Sequence, residues 1–374
     1  MIVRKLEQKE HRQTRELWEK VFAEDTKAFL DYYYFIKTRD NEIYVIEEDR
    51  KIRSMLHLNP YLVQIEDRQF PCHYIIAVAT EENYRGRGYM RTLLCRALEE
   101  MYRRKEPFTF LMPAAEAIYT PYDFRFVYRQ NIGETKGNDG HLQAEVKEAE
   151  LFDAADMAAF FNQYFRDKYQ ICAVRDEAYY QTMILEQKSE NGGVCLIKEA
   201  DKIRGMFAYA REDRLDIREP VYLPEWESEF LKAVAMFRGK EEKSAALYAC
   251  SDLFTAKKKP VIMARILHLE ELLKAMKVQS GETICCSFAV IDPILVKNSR
   301  VWKIESEKGQ DSLSVAETED SEGVLPIGAL TSFLFGYKTL EEVKEEDGVI
   351  LTPHLEVELG KIEQLCKIYL NEIV

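Results

Sequence analysis

The chain has 374 residues, 47% hydrophobic and 31% charged, a composition that suits two or three globular domains and excludes a disordered or fibrous protein. Its formal net charge of −13 argues against nucleic acid, whose phosphates need a basic face. No window reaches the ~18 consecutive apolar residues of a membrane helix, and residues 1–10 carry no apolar core of a secretory signal. The expectation is a cytoplasmic protein with no membrane partner.

Taken in chain order, residues 9–23 have helical periodicity, with Leu17, Val21 and Phe22 near one face. An aromatic-rich helix is expected over 29–36. Residues 43–47 and 51–58 read as strands joined by the charged turn Glu48-Asp49-Arg50, and 63–65 and 70–79 continue the meander. A helix over 90–103 and a strand over 108–112 follow, which makes a mixed α/β unit.

Residues 43–58 then recur. They align without gaps on 194–209, sharing Lys51-Ile52-Arg53 with Lys202-Ile203-Arg204 and Met55 with Met206. A strand–turn–strand hairpin repeated about 150 residues later indicates a duplicated domain, at a period too long for a solenoid. The second copy has no glycine-rich element, so it is expected to wall the site rather than to carry chemistry. From residue 263 onward the pattern is α+β. Residues 266–276 and 361–369 are amphipathic, the latter expected as a C-terminal helix. Strands are expected over 283–291, 300–305 and 313–316, and a helix over 326–336 closed by Gly336. Residues 270–374 hold 20 acidic against 10 basic residues, a balance that would draw a cationic substrate.

Eight cysteines and six histidines are scattered without CxxC, HExxH or HxH spacing, so no metal is expected. Most cysteines, the vicinal Cys285-Cys286 included, read as buried reduced thiols.

The chemistry concentrates in residues 75–128. A β-branched strand, Ile75 to Ala79, ends in a polar turn, and Arg85-Gly86-Arg87-Gly88 opens a long helix. A glycine-rich turn at a helix start presents backbone N–H groups without intrahelical partners, and the helix dipole adds positive potential. With Arg85, Arg87 and Arg91 beside it, a pyrophosphate is the natural guest. Arg91 stands where a dinucleotide fold would have its third glycine, and no Lys-Ser/Thr follows as in a P-loop.

The run Arg85-Gly86-Arg87-Gly88-Tyr89-Met90 resembles the coenzyme A pyrophosphate loop of the GNAT superfamily of N-acetyltransferases, with Met90 at a position usually small. The exit of the next strand, Ala114-Ala115-Glu116-Ala117-Ile118-Tyr119, strengthens that resemblance. Length and motifs together resemble the enhanced-intracellular-survival (Eis) acetyltransferases. In that group an Ile-Tyr pair runs on to Phe-Gly-Tyr, where this chain has Asp123 at the glycine position.

The resemblance implies tandem GNAT domains, the second degenerate, followed by a sterol-carrier-protein-like domain, with boundaries at 1–131, 132–264 and 265–374. It implies acetyl-CoA as cosubstrate, its pantetheine arm pairing with the backbone of Val78, Ala79 and Thr80. Residues Arg85, Gly86, Arg87, Gly88, Tyr89, Met90 and Arg91 would hold the pyrophosphate, with Ala114 and Ala115 along the arm. Tyr119 would act as general acid and the terminal carboxylate of Val374 as general base. The acceptor would be a cationic amine, aminoglycoside-like or a lysine, and the assembly a homo-oligomer, a hexamer. Among 21 tyrosines, Tyr122 and Tyr128 are the neighbours most easily exchanged for Tyr119. Two other functions fit the residues: a narrow-specificity metabolite acetyltransferase, or a non-catalytic lipid- or ligand-binding protein with a relic coenzyme A site.

Overall fold

A computed structural model describes residues 1–211, 214–238, 242–249 and 257–372. The first unit runs β1 (Ile2–Lys5), α1 (Arg15–Val21), α2 (Lys27–Phe35), β2 (Glu42–Glu48), β3 (Lys51–Ile65), β4 (Arg68–Thr80), α3 (Tyr89–Arg103), β5 (Phe108–Leu111), α4 (Glu116–Tyr119) and β6 (Arg125–Thr135). A 3-10 turn, Gln8–Thr14, takes the first half of the helix expected over 9–23.

The second unit follows the same order, with an added short strand β8 between its two helices and, among the described residues, no counterpart of α4: β7 (Glu145–Glu148), α5 (Ala154–Tyr164), β8 (Ile171–Ala173), α6 (Glu177–Ser189), β9 (Gly193–Glu199), β10 (Lys202–Arg211), β11 (Leu215–Tyr222), α7 (Glu227–Arg238), β12 (Ala245–Tyr248) and β13 (Lys257–Ile266). In each unit the first strand pairs antiparallel with the hairpin, and two helices lie between them. In each, the strand before the crossover helix is parallel to the strand after it. The repeated hairpin is thus the centre of a duplicated topology. Both copies even share an irregularity, a bulge with a left-handed residue on the strand after the hairpin, Ala77 (φ 51°) in one and Glu219 (φ 49°) in the other.

The two units exchange their last strands. The sheet order is β1-β2-β3-β4-β5-β13-β6-β12-β11-β10-β9-β7. Strand β13, from the end of the second unit, pairs antiparallel with β5, Met263 opposite Leu111, and with β6 on its other edge. Strand β6, from the end of the first unit, pairs with β12. Residues Val261 to Ile266 are all buried there, Arg265 among five apolar neighbours.

The third unit has α8 (Leu269–Leu273), β14 (Lys277–Val278), β15 (Cys285–Ile291), β16 (Val301–Glu305), β17 (Ser314–Thr318), β18 (Gly323–Pro326), α9 (Ile327–Leu334), α10 (Leu340–Lys344), β19 (Ile350–Leu351), α11 (Pro353–Leu359), β20 (Ile362–Glu363) and β21 (Ile368–Tyr369). All eight residues of α9 are buried, and its side chains share one apolar cluster with β5, β6 and β13. Gly336 follows it with φ 61°, as a helix-closing glycine should.

Residues 361–369 are not the helix expected from their periodicity. They form β20 and β21, and β21 lies parallel to β8, Ile368 opposite Ile171. The β-branched residues find strand partners nearly two hundred positions earlier, which outweighs a short amphipathic pattern. The cysteines also divide: Cys286 is buried, but Cys285 and Cys366 are exposed. Among the described residues no helix is long and apolar enough to cross a membrane.

Because β5 has β13 on the edge away from β4, a fragment of residues 1–135 would bare backbone groups that the full chain pairs. We expect that fragment to show no cooperative thermal transition by near-ultraviolet circular dichroism, whereas the full chain does.

Candidate active site

Strands β4 and β5 touch at a single register pair, Tyr74 opposite Phe110, and then diverge. The stretch of β4 beyond, with Val78, Ala79 and Thr80, is paired to β3 on one edge only. Ser54 steadies that edge, its hydroxyl donating to the Ala79 carbonyl at 2.9 Å and meeting the Thr80 hydroxyl at 2.8 Å. The open side of the wedge can accept an extended chain as an added strand.

At the mouth of the wedge α3 begins. Gly88 caps it at φ 79°, with no side-chain cap, and Gly86 has φ 73°. A Cβ at either would meet nothing within 4 Å, so glycine is required by backbone handedness and not by crowding. Arg85 reaches back to the Thr80 carbonyl (3.2 Å) and Arg87 to that of Asn83 (3.1 Å). The Tyr84 ring carries the guanidinium groups of Arg53 and Arg87 at 4.4 and 4.6 Å. Arg85, Arg87 and Arg91 are all exposed, leaving their charge available to an anion. Tyr89 is buried, its hydroxyl donating to Glu48, and Met90 packs against the apolar cluster under α3. Ala114 and Ala115 are exposed just before α4.

Tyr119 ends α4. It is 8% exposed and meets Phe124 edge-on at 5.8 Å. Burial pushes its phenol up to about 12, so it stays protonated at neutral pH, as a general acid must. Tyr122 is half-buried nearby, and Tyr128 is buried against a different cavity. Asp123 takes the left-handed conformation, φ 62°, which explains how it can stand where relatives of this motif have glycine.

The turn after Tyr119 is held from below by Arg265, at the end of β13. This fully buried guanidinium donates to the Tyr122 carbonyl (2.9 Å) and to Asp292 (2.6 Å), with Asp123 at 4.0 Å. Asp292 in turn accepts from the backbone N–H groups of Ile294 and Leu295. Residues of the second and third units therefore position the segment that carries Tyr119.

A cavity of about 550 Å³ opens beside the exit of β5, where Met112 lines it. Six carboxylates line it (Asp40, Asp176, Glu186, Asp216, Glu219 and Glu372) against three cations, Lys37, Arg218 and Lys259. Burial raises the Glu186 carboxyl to about 7; the Tyr32 hydroxyl donates to it at 3.1 Å. Burial, with Glu219 nearby, also raises Glu372, which accepts from Tyr179 at 2.8 Å. Glu219, delivered by its bulge, is held by the buried Arg175 at 2.5 Å and by Asn371 at 2.8 Å. On β4 the Tyr74 hydroxyl accepts from the Met112 N–H at 3.3 Å, and Met112 lines the cavity, which joins the wedge to it.

Five of these six acids come from the first two units, and only Glu372 from the acidic third region in which a cationic attraction was expected. Single carboxylates contributed by separate segments leave no local pattern, and the repeat gives none either: its constant offset places Glu219 opposite Arg68, because β3 is longer than β10. Val374 lies outside the described residues, but Asn371 and Glu372, just before it, line this cavity.

Residues 2–127 match the family model of an acetyltransferase (GNAT) domain, and residues 269–365 that of a sterol carrier protein domain. No curated protein matches the sequence. Among solved structures, a probable N-acyltransferase from Enterococcus faecalis V583 superposes with a TM-score of 0.85 at 18% identity, covering 100% of this chain and 99% of that one. A GCN5-related N-acetyltransferase from Anabaena variabilis ATCC 29413 gives 0.80 at 18% identity, covering 99% of each chain. Eis1 from Mycobacterium abscessus gives 0.75 at 12% identity, covering 100% of each. The protein is an acyltransferase with an N-terminal GNAT domain. Its fold is Eis-like throughout: a GNAT domain, a second unit of similar topology without the glycine-rich turn, and a sterol-carrier-protein domain.

Replacing Asp292 by Ala would strand the buried Arg265 charge. We expect a loss of roughly 3–5 kcal/mol in urea unfolding, with a smaller loss for Asp292→Asn, which keeps an acceptor.

Proposed function

We propose that the protein transfers an acetyl group from acetyl-CoA to a primary amine of a cationic substrate, aminoglycoside-like or a lysine side chain. The observation that carries this reading is the junction of an Arg/Gly helix start and open strand edge with a cavity lined by six carboxylates. In it, the pantetheine arm lies along Val78, Ala79 and Thr80 and past Ala114 and Ala115. The pyrophosphate sits on the N–H groups from Gly86 to Arg91. The amine enters from the acidic cavity, where carboxylates favour its ammonium form and several amines of one polycation can be placed in turn.

The terminal carboxylate of Val374, two positions beyond Glu372, takes the proton from the ammonium. The free amine attacks the thioester carbonyl, giving a tetrahedral intermediate. Its collapse expels the thiolate, which Tyr119 protonates, while the second proton shed by the nitrogen passes through solvent and restores the phenol. No acyl-enzyme forms. A second candidate for the base is Glu372 itself, because its carboxylate lines the cavity and burial raises its affinity for a proton. The hexamer implied by resemblance belongs to the same proposal and is checked by light scattering.

Three measurements test this. Tyr119→Phe should lower kcat by about 10²-fold or more while leaving acetyl-CoA affinity unchanged; a fully active variant rules out the general acid. Deleting residues 373 and 374 should abolish turnover if the terminal carboxylate is the base, whereas sensitivity of Glu372→Gln with a tolerant deletion transfers the role to Glu372.

The third concerns pH. Glu186 ionises only as pH rises through about 7, so the KM for a cationic acceptor should fall between pH 6 and 8, and Glu186→Gln should flatten that fall. The same raised value means that the fold favours the protonated carboxyl. Its stabilising effect is complete below the ordinary carboxylate range and is lost as pH climbs towards 7. The Tm gained by Glu186→Gln should therefore be larger at pH 8 than at pH 5.

A further inference from the structure

The second unit keeps a cleft at the place where the first has its wedge. The ladders make the equivalence residue by residue. Ser54 and Met55 face Thr80 and Ala79 across β3–β4, while Gly205 and Met206 face Tyr222 and Val221 across β10–β11. Val78, Ala79 and Thr80 thus correspond to Pro220, Val221 and Tyr222. Those three residues line a second cavity, of about 560 Å³, bounded also by β6, β13, β21 and the end of α9.

At the helix start the chemistry is reversed. Where α3 opens on arginines and left-handed glycines, α7 follows the turn Pro224–Trp226 and carries Glu227 and Glu229 in its first turn. Carboxylates there offset the helix dipole and repel a pyrophosphate, so the grip that would select coenzyme A is gone while the cleft remains.

What lines the cleft instead is a ring of cations over aromatic residues. Arg129, Lys168, Lys258 and Lys367 line it, all exposed, and among the described residues no carboxylate does. Arg129 lies over the Tyr337 ring at 3.8 Å and Lys168 over Phe165 at 4.3 Å, contacts that orient each charge without neutralising it. Among the described residues no ion pair takes up Arg129, Lys168 or Lys367. Beneath them Tyr128, Phe165, Tyr222 and Tyr369 are buried. Tyr169 and Tyr369 stack at 4.7 Å, and the buried Tyr369 hydroxyl has no hydrogen-bond partner. In a chain of net charge −13, four cations around one cavity run against the general balance.

We propose that this cleft binds a small anion carried on an aromatic ring, a carboxylate or phosphate ester. Lys168, Lys367 and Arg129 hold the charge, and the ring lies on the tyrosine floor. The volume suits a single small molecule and not a polyanion.

Titration calorimetry of the full chain with phenyl phosphate tests this, with inorganic phosphate and phenol as the two halves of the probe. Phenyl phosphate should bind one site at least about tenfold more tightly than either half, since charge and ring are recognised together. The double variant Lys168→Glu/Lys367→Glu should weaken it by about tenfold or more, as two exposed attractive charges become repulsive. Arg87→Glu in the first unit, or saturating coenzyme A, should leave it unchanged. Lys168→Gln/Lys367→Gln, whose thermal unfolding is compared with that of the parent, guards against loss of fold and should also weaken binding. Binding no tighter than inorganic phosphate, displacement by coenzyme A, or indifference to both lysine pairs would each overturn the assignment.

Discussion

The backbone hydrogen bonds along both edges of β13 hold the two acetyltransferase-like units in one sheet. Interior strands cannot leave their N–H and C=O groups unpaired without a cost that water no longer offsets. Once β13 lies between β5 and β6, the first unit cannot close its own sheet and the second cannot either. Each supplies the strand that the other lacks. The third unit then packs α9 across the exchanged strands, so the apolar core passes through the junction and not around it.

The composite origin of the candidate site follows. Arg265 reaches the Tyr119 turn because it ends β13, and its partner Asp292 belongs to the third unit. A fully buried guanidinium–carboxylate pair contributes little net stability but tolerates no partial loss, since either charge left alone is severely destabilising. Such a pair fixes a turn in one position. The left-handed Asp123 lies beside it, with Arg265 at 4.0 Å.

The local features were legible. The strand–turn–helix around Gly86 and Gly88 needs only neighbouring residues, and the repeated hairpin shows in its own alignment. Features that depend on distant partners were not. Residues 361–369 have a helical pattern, yet Ile368 and Tyr369 settle beside Ile171 and Cys172. The strand β13 was hidden because its apolar residues run on into Leu267 and Leu269 and read as the start of a helix. The acidic cavity could not be read at all: Asp40, Glu186, Glu219 and Glu372 are far apart in sequence and meet only through the strand exchange and the return of the chain end.

The twin bulges at Ala77 and Glu219 show that the kink does not depend on the glycine-rich turn, since the unit without that turn has it too. In one copy the kink stands beside an open strand edge; in the other it turns a carboxylate towards the neighbouring cavity. The two copies thus differ in what they present: one carries the Arg/Gly helix start, and the other contributes four of the six carboxylates of the cavity beside it.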